Sequence, residues 1–452
     1  MDRRLKPVPG PETADIVSLD HDGRGVARID GKAVFVSGAL PGETVLIQRG
    51  RRRRRHDEAV LLEVLQPAPD RVTPRCRHFG SCGGCSLQHL SHESQLAAKG
   101  RVVADELARI GGVEPERWLS PLSGPVWAYR RRARLGCKFV DRKDRVLVGF
   151  RERGSPYIAE LERCEILSTP VGGLIDKLAA LVGTLEIRRR VAQIEIAVAD
   201  DATALVLRVL DDPPDTDLGR LRAFATAESV EIYLQRGGLE TVTPLSPPAT
   251  PLRYALPGLP AGIQFAPTDF IQVNGELNRA MIARAIELLE PRAGDRLLDL
   301  FCGLGNFSLP LAGHVAAVTG IEGDAALVAR AARNAERNGV TNARFYAANL
   351  ALPSADAPWA QQAWDLVLLD PPRAGAREVL PVATASRPRR IVYVSCHPGT
   401  LARDAGILVG QHGYRLKAAG IMDMFPHTSH VEAITLFEPS TGPAALRGGP
   451  VP

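Results

Sequence analysis

Asp299-Leu300-Phe301-Cys302-Gly303-Leu304-Gly305-Asn306-Phe307 begins where an apolar run, residues 297–301, breaks into a glycine-rich turn. A strand-length apolar run followed by Gly-x-Gly and then a helix opens an alternating β/α unit. The alternation continues from there. A short helix leads to a strand at 315–321, and a second helix closes at Asn338-Gly339. Strands at 343–347, 365–370 and 390–395 follow with helical segments between them, and two last strands lie near 414–421 and 431–436. Upstream, Leu277, Met281, Ile282 and Leu289 keep helical spacing. This order predicts a doubly wound parallel sheet with helices on both faces, whose ligands sit beyond the carboxyl ends of the strands. The turn is not the dinucleotide fingerprint, because Ser308 stands where the third glycine belongs.

The strand ends carry the chemistry. Gly303 and Gly305 let backbone approach a ligand closely. Glu322 ends the next strand, about 20 residues on, where a carboxylate accepts both ribose hydroxyls. Asn349 ends the third strand and is placed to read an adenine edge. With Asp370-Pro371-Pro372 these positions resemble the S-adenosylmethionine-dependent methyltransferases of the Rossmann-like class, against a NAD-binding domain. The residue after Asp-Pro-Pro is Arg373, where amino-methylating enzymes place an aromatic. Arg390-Ile391-Val392-Tyr393-Val394-Ser395-Cys396 puts a thiol at the neighbouring strand end. Uracil C5 is too weak a nucleophile to take a methyl group unaided. Addition of a thiolate to C6 makes C5 enolate-like, and a base must later remove the C5 proton. Cys396 suits the first role and Glu432, at the start of a later strand, the second. Cys137 and Cys302 have no such setting and read as structural.

At 452 residues the chain exceeds one ordinary domain. Net charge is only +5, but arginine is clustered: Arg49 with 51–55, Arg130 to Arg134, and 188–190. Such clusters suit phosphate and point to nucleic acid over a merely solvated face. Residues 12–68 read as short strands with turns at Asp22-Gly23, Asp30-Gly31 and Pro41-Gly42, the pattern of a small closed barrel of the OB type. Leu96, Val103, Leu107 and Ile110 then form a helix ended by Gly111-Gly112. Residues 126–240 alternate as a mainly antiparallel β region, and the Pro-rich stretch 243–260 reads as a linker or excursion. No signal peptide and no membrane-length apolar run is seen, so a cytoplasmic location without membrane partners is expected. There, seven cysteines point to ligands or catalysts before disulfides. Cys76, Cys82 and Cys85 form a compact set, with Cys164 the best fourth member; four thiols suit zinc or an iron–sulfur cluster.

Residues 301–307, Asp370-Pro371-Pro372-Arg373-Ala374-Gly375, the segment 395–404 and the segment 424–432 resemble the RNA 5-methyluridine methyltransferases over nearly the whole chain. The resemblance implies a nucleophile at Cys396 and a proton-abstracting base at Glu432. It also implies cofactor contacts at Gln272, Phe301, Asn306, Glu322, Asn349 and Asp370, with S-adenosyl-L-methionine as donor. It makes the barrel a TRAM domain and the four cysteines holders of a 4Fe–4S cluster, a combination of the long ribosomal-RNA members. The expected organisation is a TRAM-like RNA-binding barrel (10–68), a central β region with the cluster (69–260), a methyltransferase domain (261–440) and a disordered tail (441–452). The expected partner is RNA, 23S rRNA ahead of tRNA, bound by a monomer. A 5-methylcytidine enzyme would carry a second cysteine where Pro371-Pro372 stands, and a non-catalytic RNA-binding protein would not need Cys396, Glu432 and the donor pocket together. One departure is His397, where the family usually has Asn beside the nucleophile; either side chain can donate to a pyrimidine carbonyl.

Overall fold

The structure, a computed structural model, describes residues 10–52 and 54–440. The segment 441–452, expected to be disordered, lies outside the described residues, as does Arg53 of the first arginine cluster.

Five strands, β1 (Glu12–Leu19), β2 (Gly25–Ile29), β3 (Lys32–Ser37), β4 (Thr44–Arg52) and β5 (His56–Gln66), close into a barrel in the order β1-β2-β3-β5-β4. Alternate residues point inward, and those that fill the interior are small or branched: Ala14, Ile16, Ala27, Val34, Val36, Val45 and Ile47. Asp30 and Gly31 join β2 to β3 with φ of 52° and 75°, the two-residue turn whose twist matches the strands it connects.

α1 (His92–Glu106) follows and continues as a π-helical turn, Leu107–Gly111; the two-residue strand β6 (Arg117–Trp118) comes next. The central region is a six-stranded sheet built from β7 (Arg132–Val140), β8 (Arg145–Gly149), β9 (Val191–Val198), β10 (Thr203–Val209), β11 (Glu231–Gln235) and β12 (Val242–Pro244). Its order is β12-β11-β10-β9-β7-β8, antiparallel except between β10 and β11. The antiparallel expectation holds in the main but omitted two helices, α2 (Ile175–Thr184) and α3 (Asp215–Glu228). α3 makes the crossover between the parallel pair. It was hidden because only Leu221 among its apolar residues is fully buried, so it carries almost no apolar stripe. The stretch expected to be a linker holds β12 and a hairpin, β13 (Leu252–Leu256) with β14 (Leu259–Phe265).

α4 (Gly275–Leu289), β15 (Arg296–Leu300), α5 (Ser308–Ala312), β16 (Ala317–Glu322), α6 (Ala325–Arg337), β17 (Ala343–Ala347), β18 (Leu366–Leu369), α7 (Leu380–Thr384), β19 (Arg390–Ser395), α8 (Pro398–Gly410), β20 (Tyr414–Met422) and β21 (Glu432–Pro439) complete the chain. Their sheet runs β17-β16-β15-β18-β19-β21-β20-β6. β15 to β19 are mutually parallel, and β21 is antiparallel to both its neighbours. Unbroken apolar runs are required because both faces are covered. Leu366, Leu368, Val392 and Val394 enter one core, while Val367, Leu369, Ile391 and Tyr393 enter the other. α1 packs on α8 and β20, so the chain between barrel and central sheet finishes one edge of this layer. Among the described residues no helix is long and apolar enough to cross a membrane.

At least one member of each arginine cluster has a clear protein partner. Arg49 pairs with Glu12 and Asp57, Arg132 donates to the Ile196 and Pro267 carbonyls, and Arg190 pairs with Asp211.

Candidate active site

β15 stops where the chain turns into the left-handed region at Phe301, φ 68°. A bulky residue pays for that conformation only where its surroundings hold it. Here the Phe301 and Cys302 amides both donate to the Ile321 carbonyl of β16, at 2.8 and 3.0 Å. Gly305 adopts φ 86°, and a Cβ there would meet Leu309 at 3.0 Å, so only glycine fits. The Glu322 carboxylate is fixed by three amides, Gly303 at 3.1 Å, Gly323 at 2.7 Å and Asp324 at 3.1 Å. The side chain is thus held pointing its remaining lone pairs outward before any ligand arrives.

Glu322 lines a cavity of about 460 Å3 with Gln272, Phe301, Asn306, Asp370, Cys396 and Glu432. Seven of the eight residues expected from sequence to bind donor or substrate therefore meet at one place. Asn349 does not line it. It is exposed just beyond β17, where its Oδ1 accepts from the Ala351 amide, while the adjacent Ala348 amide donates to the Glu322 carbonyl. Cys137 is buried in the core of the central region, whereas Cys302, read from sequence as structural, is 4% exposed and lines the donor cavity; burial raises both thiols.

Several residues the sequence did not single out support the cavity. Asn306 exchanges two 2.9 Å hydrogen bonds with buried Asn278 of α4 and accepts a third, at 3.0 Å, from Tyr254 of β13. Tyr254 lay in the presumed linker, which is why no pattern marked it. Asp404 of α8 accepts from the Tyr393 hydroxyl and the Ala376 amide, both at 2.7 Å, and Arg403 donates to the Ala374 carbonyl at 2.9 Å. These bonds clamp the loop after Asp370 to the helix after Cys396.

The loop 423–431 delivers Glu432 and is braced from the N-terminal half of the chain. Lys99 of α1, 2% exposed, reaches Asp423 at 2.5 Å and the Phe425 carbonyl at 3.0 Å. His92 meets Asp423 at 2.8 Å. His427, at φ 66°, lies 4.0 Å from Trp127 between ring centroids, and its carbonyl accepts from the Ser86 and Leu87 amides. Ser86 Oγ accepts from the Ser429 amide at 2.9 Å.

The electrostatics are those of a site awaiting positive charge. Burial lifts Glu432 to about 7, opposed by Lys99. Burial and then Glu432 lift Asp370 to about 8. Cys396 is pushed up to about 11 by burial, Glu432 and Asp370, with Arg373 pulling the other way. His397 begins α8 and caps it: its Nδ1 accepts from the Thr400 amide at 3.2 Å. That leaves Nε2–H as the donor, so the ring does what an asparagine amide would do there, capping with one atom and donating with the other.

Cys76, Cys82, Cys85 and Cys164 line one small cavity with Phe79, Phe150, Leu161 and Ile166. Gly83 lets the loop pass close to Arg151, whose carbonyl accepts its amide at 2.8 Å. Among the described residues no group of three or more His, Cys, Asp or Glu converges tightly enough to hold a metal ion, so the expected 4Fe–4S cluster is not established by this geometry.

Comparison with known proteins agrees with the cavity. A family model described as tRNA (Uracil-5-)-methyltransferase matches residues 91–439, and the TRAM domain model matches 12–48. The chain is 52% identical over 440 residues to the 23S rRNA (uracil(1939)-C(5))-methyltransferase RlmD of Alkalilimnicola ehrlichii, covering 97% of this chain and 99% of that one. Its counterpart from Nitrosococcus oceani is 54% identical over 430 residues, covering 95% and 96%. Among solved structures, the Pyrococcus abyssi tRNA (uracil-54, C5)-methyltransferase in complex with S-adenosyl-L-homocysteine superposes with a TM-score of 0.73 at 25% identity, over 94% of this chain and 100% of that one. With strand-end motifs, cavity and relatives in agreement, the chain belongs to the tRNA (uracil-5-)-methyltransferase family and is an RNA methyltransferase.

Proposed function

We propose that the protein methylates C5 of a uridine in 23S rRNA, the position 1939 for which its relatives are named, with S-adenosyl-L-methionine as donor. The reading rests on one observation: Cys396 and Glu432 line the same cavity as Gln272, Phe301, Asn306, Glu322 and Asp370. Those five residues bind the donor, Glu322 through the ribose hydroxyls, and Asn349 reads the adenine edge from the next strand end. When bound, the donor supplies an electrophilic methyl group.

The target base must leave its stack to reach a thiol at the floor of a cavity. Cys396, as thiolate, then adds to C6, and the ring electrons move to C5 and O4. C5 would take the methyl group from the sulfonium of a bound donor, whose sulfur–methyl bond breaks to leave the neutral thioether S-adenosyl-L-homocysteine. Glu432 removes the C5 proton, the C6–S bond breaks, and the thiolate leaves. Glu432 must begin this last step ionised, and Lys99 favours that state. His397 Nε2–H and Arg373 face negative charge that develops on the ring and the thiol.

Residues 10–68 form the RNA-binding TRAM module, 69–260 the central region and 261–440 the methyltransferase domain of a cytoplasmic monomer. Cys76, Cys82, Cys85 and Cys164, which line one small cavity, would hold a 4Fe–4S cluster, as the resemblance to the long ribosomal-RNA members implies. Its role here is to fasten the central region to the catalytic loop, since the amides following Cys85 hold His427. A transfer-RNA uridine is the second reading, carried by the likeness to the Pyrococcus enzyme. Mapping 5-methyluridine in total RNA from a deletion strain tests both. Loss from 23S rRNA, restored by the purified protein on an rRNA fragment, is expected; loss from tRNA alone overturns the first reading.

A further inference from the structure

A groove larger than the donor cavity lies elsewhere in the molecule. A space of about 1000 Å3 lies across the exposed face of β7 and β8, beneath the loop 150–158. Lys138, Arg142 and Arg151 line it, are exposed, and have no carboxylate within ion-pair distance among the described residues. Of the other cations in its wall, Arg134 pairs with Glu195 and Lys143 with Glu160. Of its acids, Asp141 is neutralised by Arg189, which leaves Glu152. Tyr157 is 70% exposed at the rim, and Phe139 lies in the wall with the Arg189 guanidinium 4.1 Å above its ring.

The contrast with the arginine clusters is informative. The longest runs in the sequence point to nucleic acid, and of their members Arg49, Arg132 and Arg190 have protein partners. Uncommitted charge gathers instead on residues spaced singly through β7, its turn and the loop after β8. Cations that track a backbone, interleaved with aromatic faces, are what single-stranded nucleic acid requires. A folded protein partner would be met by a flatter, more apolar surface with its charges at the rim.

We propose that this groove binds a single-stranded segment of the substrate RNA flanking the methylated uridine, with Lys138, Arg142 and Arg151 on phosphates and Tyr157 stacked on a base. The groove adjoins the cysteine loop through the Cys82–Glu152 bridge and the Gly83–Arg151 hydrogen bond, and that loop holds the catalytic segment. The proposal rests on the functional reading above.

The test is affinity for two RNAs as a function of salt: a minimal target hairpin, and the same hairpin carrying its natural single-stranded flank. The variants are the Lys138→Gln/Arg142→Gln/Arg151→Gln triple and Tyr157→Ala, each checked for an unchanged melting temperature. For the flanked RNA, the triple should flatten the slope of log K against log salt by about 2, since each single-strand phosphate contact contributes about 0.7. Tyr157→Ala should weaken binding about fivefold or more. For the minimal hairpin both changes should be small. If the triple binds the flanked RNA with wild-type affinity and slope while the wild type methylates that RNA, the groove proposal is overturned. If the wild type binds and methylates neither RNA, the functional reading fails first and this one with it.

Discussion

Two regions of this molecule hold thiols that burial keeps protonated, and they differ in what surrounds them. Around Cys396, raised to about 11, stand carboxylates, Glu432 and Asp370, with Arg373 as counterweight. Around Cys85 and Cys164, raised to about 12 and about 11, stand chiefly other thiols. A high thiol pKa by itself therefore distinguishes nothing, because burial is the first cause in both places. The neighbours distinguish them. Carboxylates beside a single thiol make a site that a cationic donor completes and a planar ring enters. Thiols beside thiols in an apolar cavity are the setting in which the proposed soft, thiophilic centre would sit.

The sharpest way to break this comparison is to remove the lone thiol. Cys396→Ala should reduce methylation to background while RNA binding persists; turnover in that variant would remove the nucleophile from the first region. Glu432→Gln should slow adduct resolution by about 10²–10⁴-fold, so that a protein–RNA species accumulates on a denaturing gel. In the second region, anaerobically purified protein should be brown, with about four iron and four sulfide per chain. Cys164→Ser should lose the colour, and zinc at one per chain would erase the proposed difference between the sites.

A smaller effect concerns pH. Because Glu432 is raised to about 7, adduct resolution should climb with pH up to about 7 and then level off, as read in single-turnover assays. The same shift sets the sign of a stability effect. A raised carboxyl favours the folded state below its ordinary value of about 4.5, and that contribution is lost as pH rises through about 7. Glu432→Gln should therefore raise the melting temperature of the free enzyme at pH 8 by roughly 2 °C or more, and change it little at pH 4. An unchanged melting temperature at pH 8 would mean that burial does not hold the Glu432 carboxyl above its ordinary value.

The difference between the regions also governs what could be read in the sequence. Donor-site residues lie at strand ends, where an apolar run stops and polar residues begin, so Glu322, Asp370 and Cys396 were visible one strand at a time. The barrel was visible because turn residues such as Asp30-Gly31 punctuate it. What escaped were contacts made across hundreds of residues. Lys99 sits in an ordinary-looking polar helix, and nothing local says that its ammonium is buried against Asp423. Tyr254 and Asn278 gain their meaning only by meeting Asn306. The arginine runs pointed to nucleic acid, in line with an RNA substrate, but clustering in sequence does not reveal which members, such as Arg49 and Arg132, are engaged by groups on other strands.

The sheet order carries a consequence for biosynthesis. β21 is the last of the described strands in chain order, yet it lies between β19 and β20, pairing with both. Until residues 432–439 emerge, those two strands present unpaired edges to each other across a gap one strand wide. Such edges invite wrong pairing and are filled only once β21 has been made. The strand that fills the gap also brings Glu432. Completion of the sheet and arrival of the base are thus a single late event, and a nascent chain cannot trap RNA on Cys396 with the sheet complete but the base still missing.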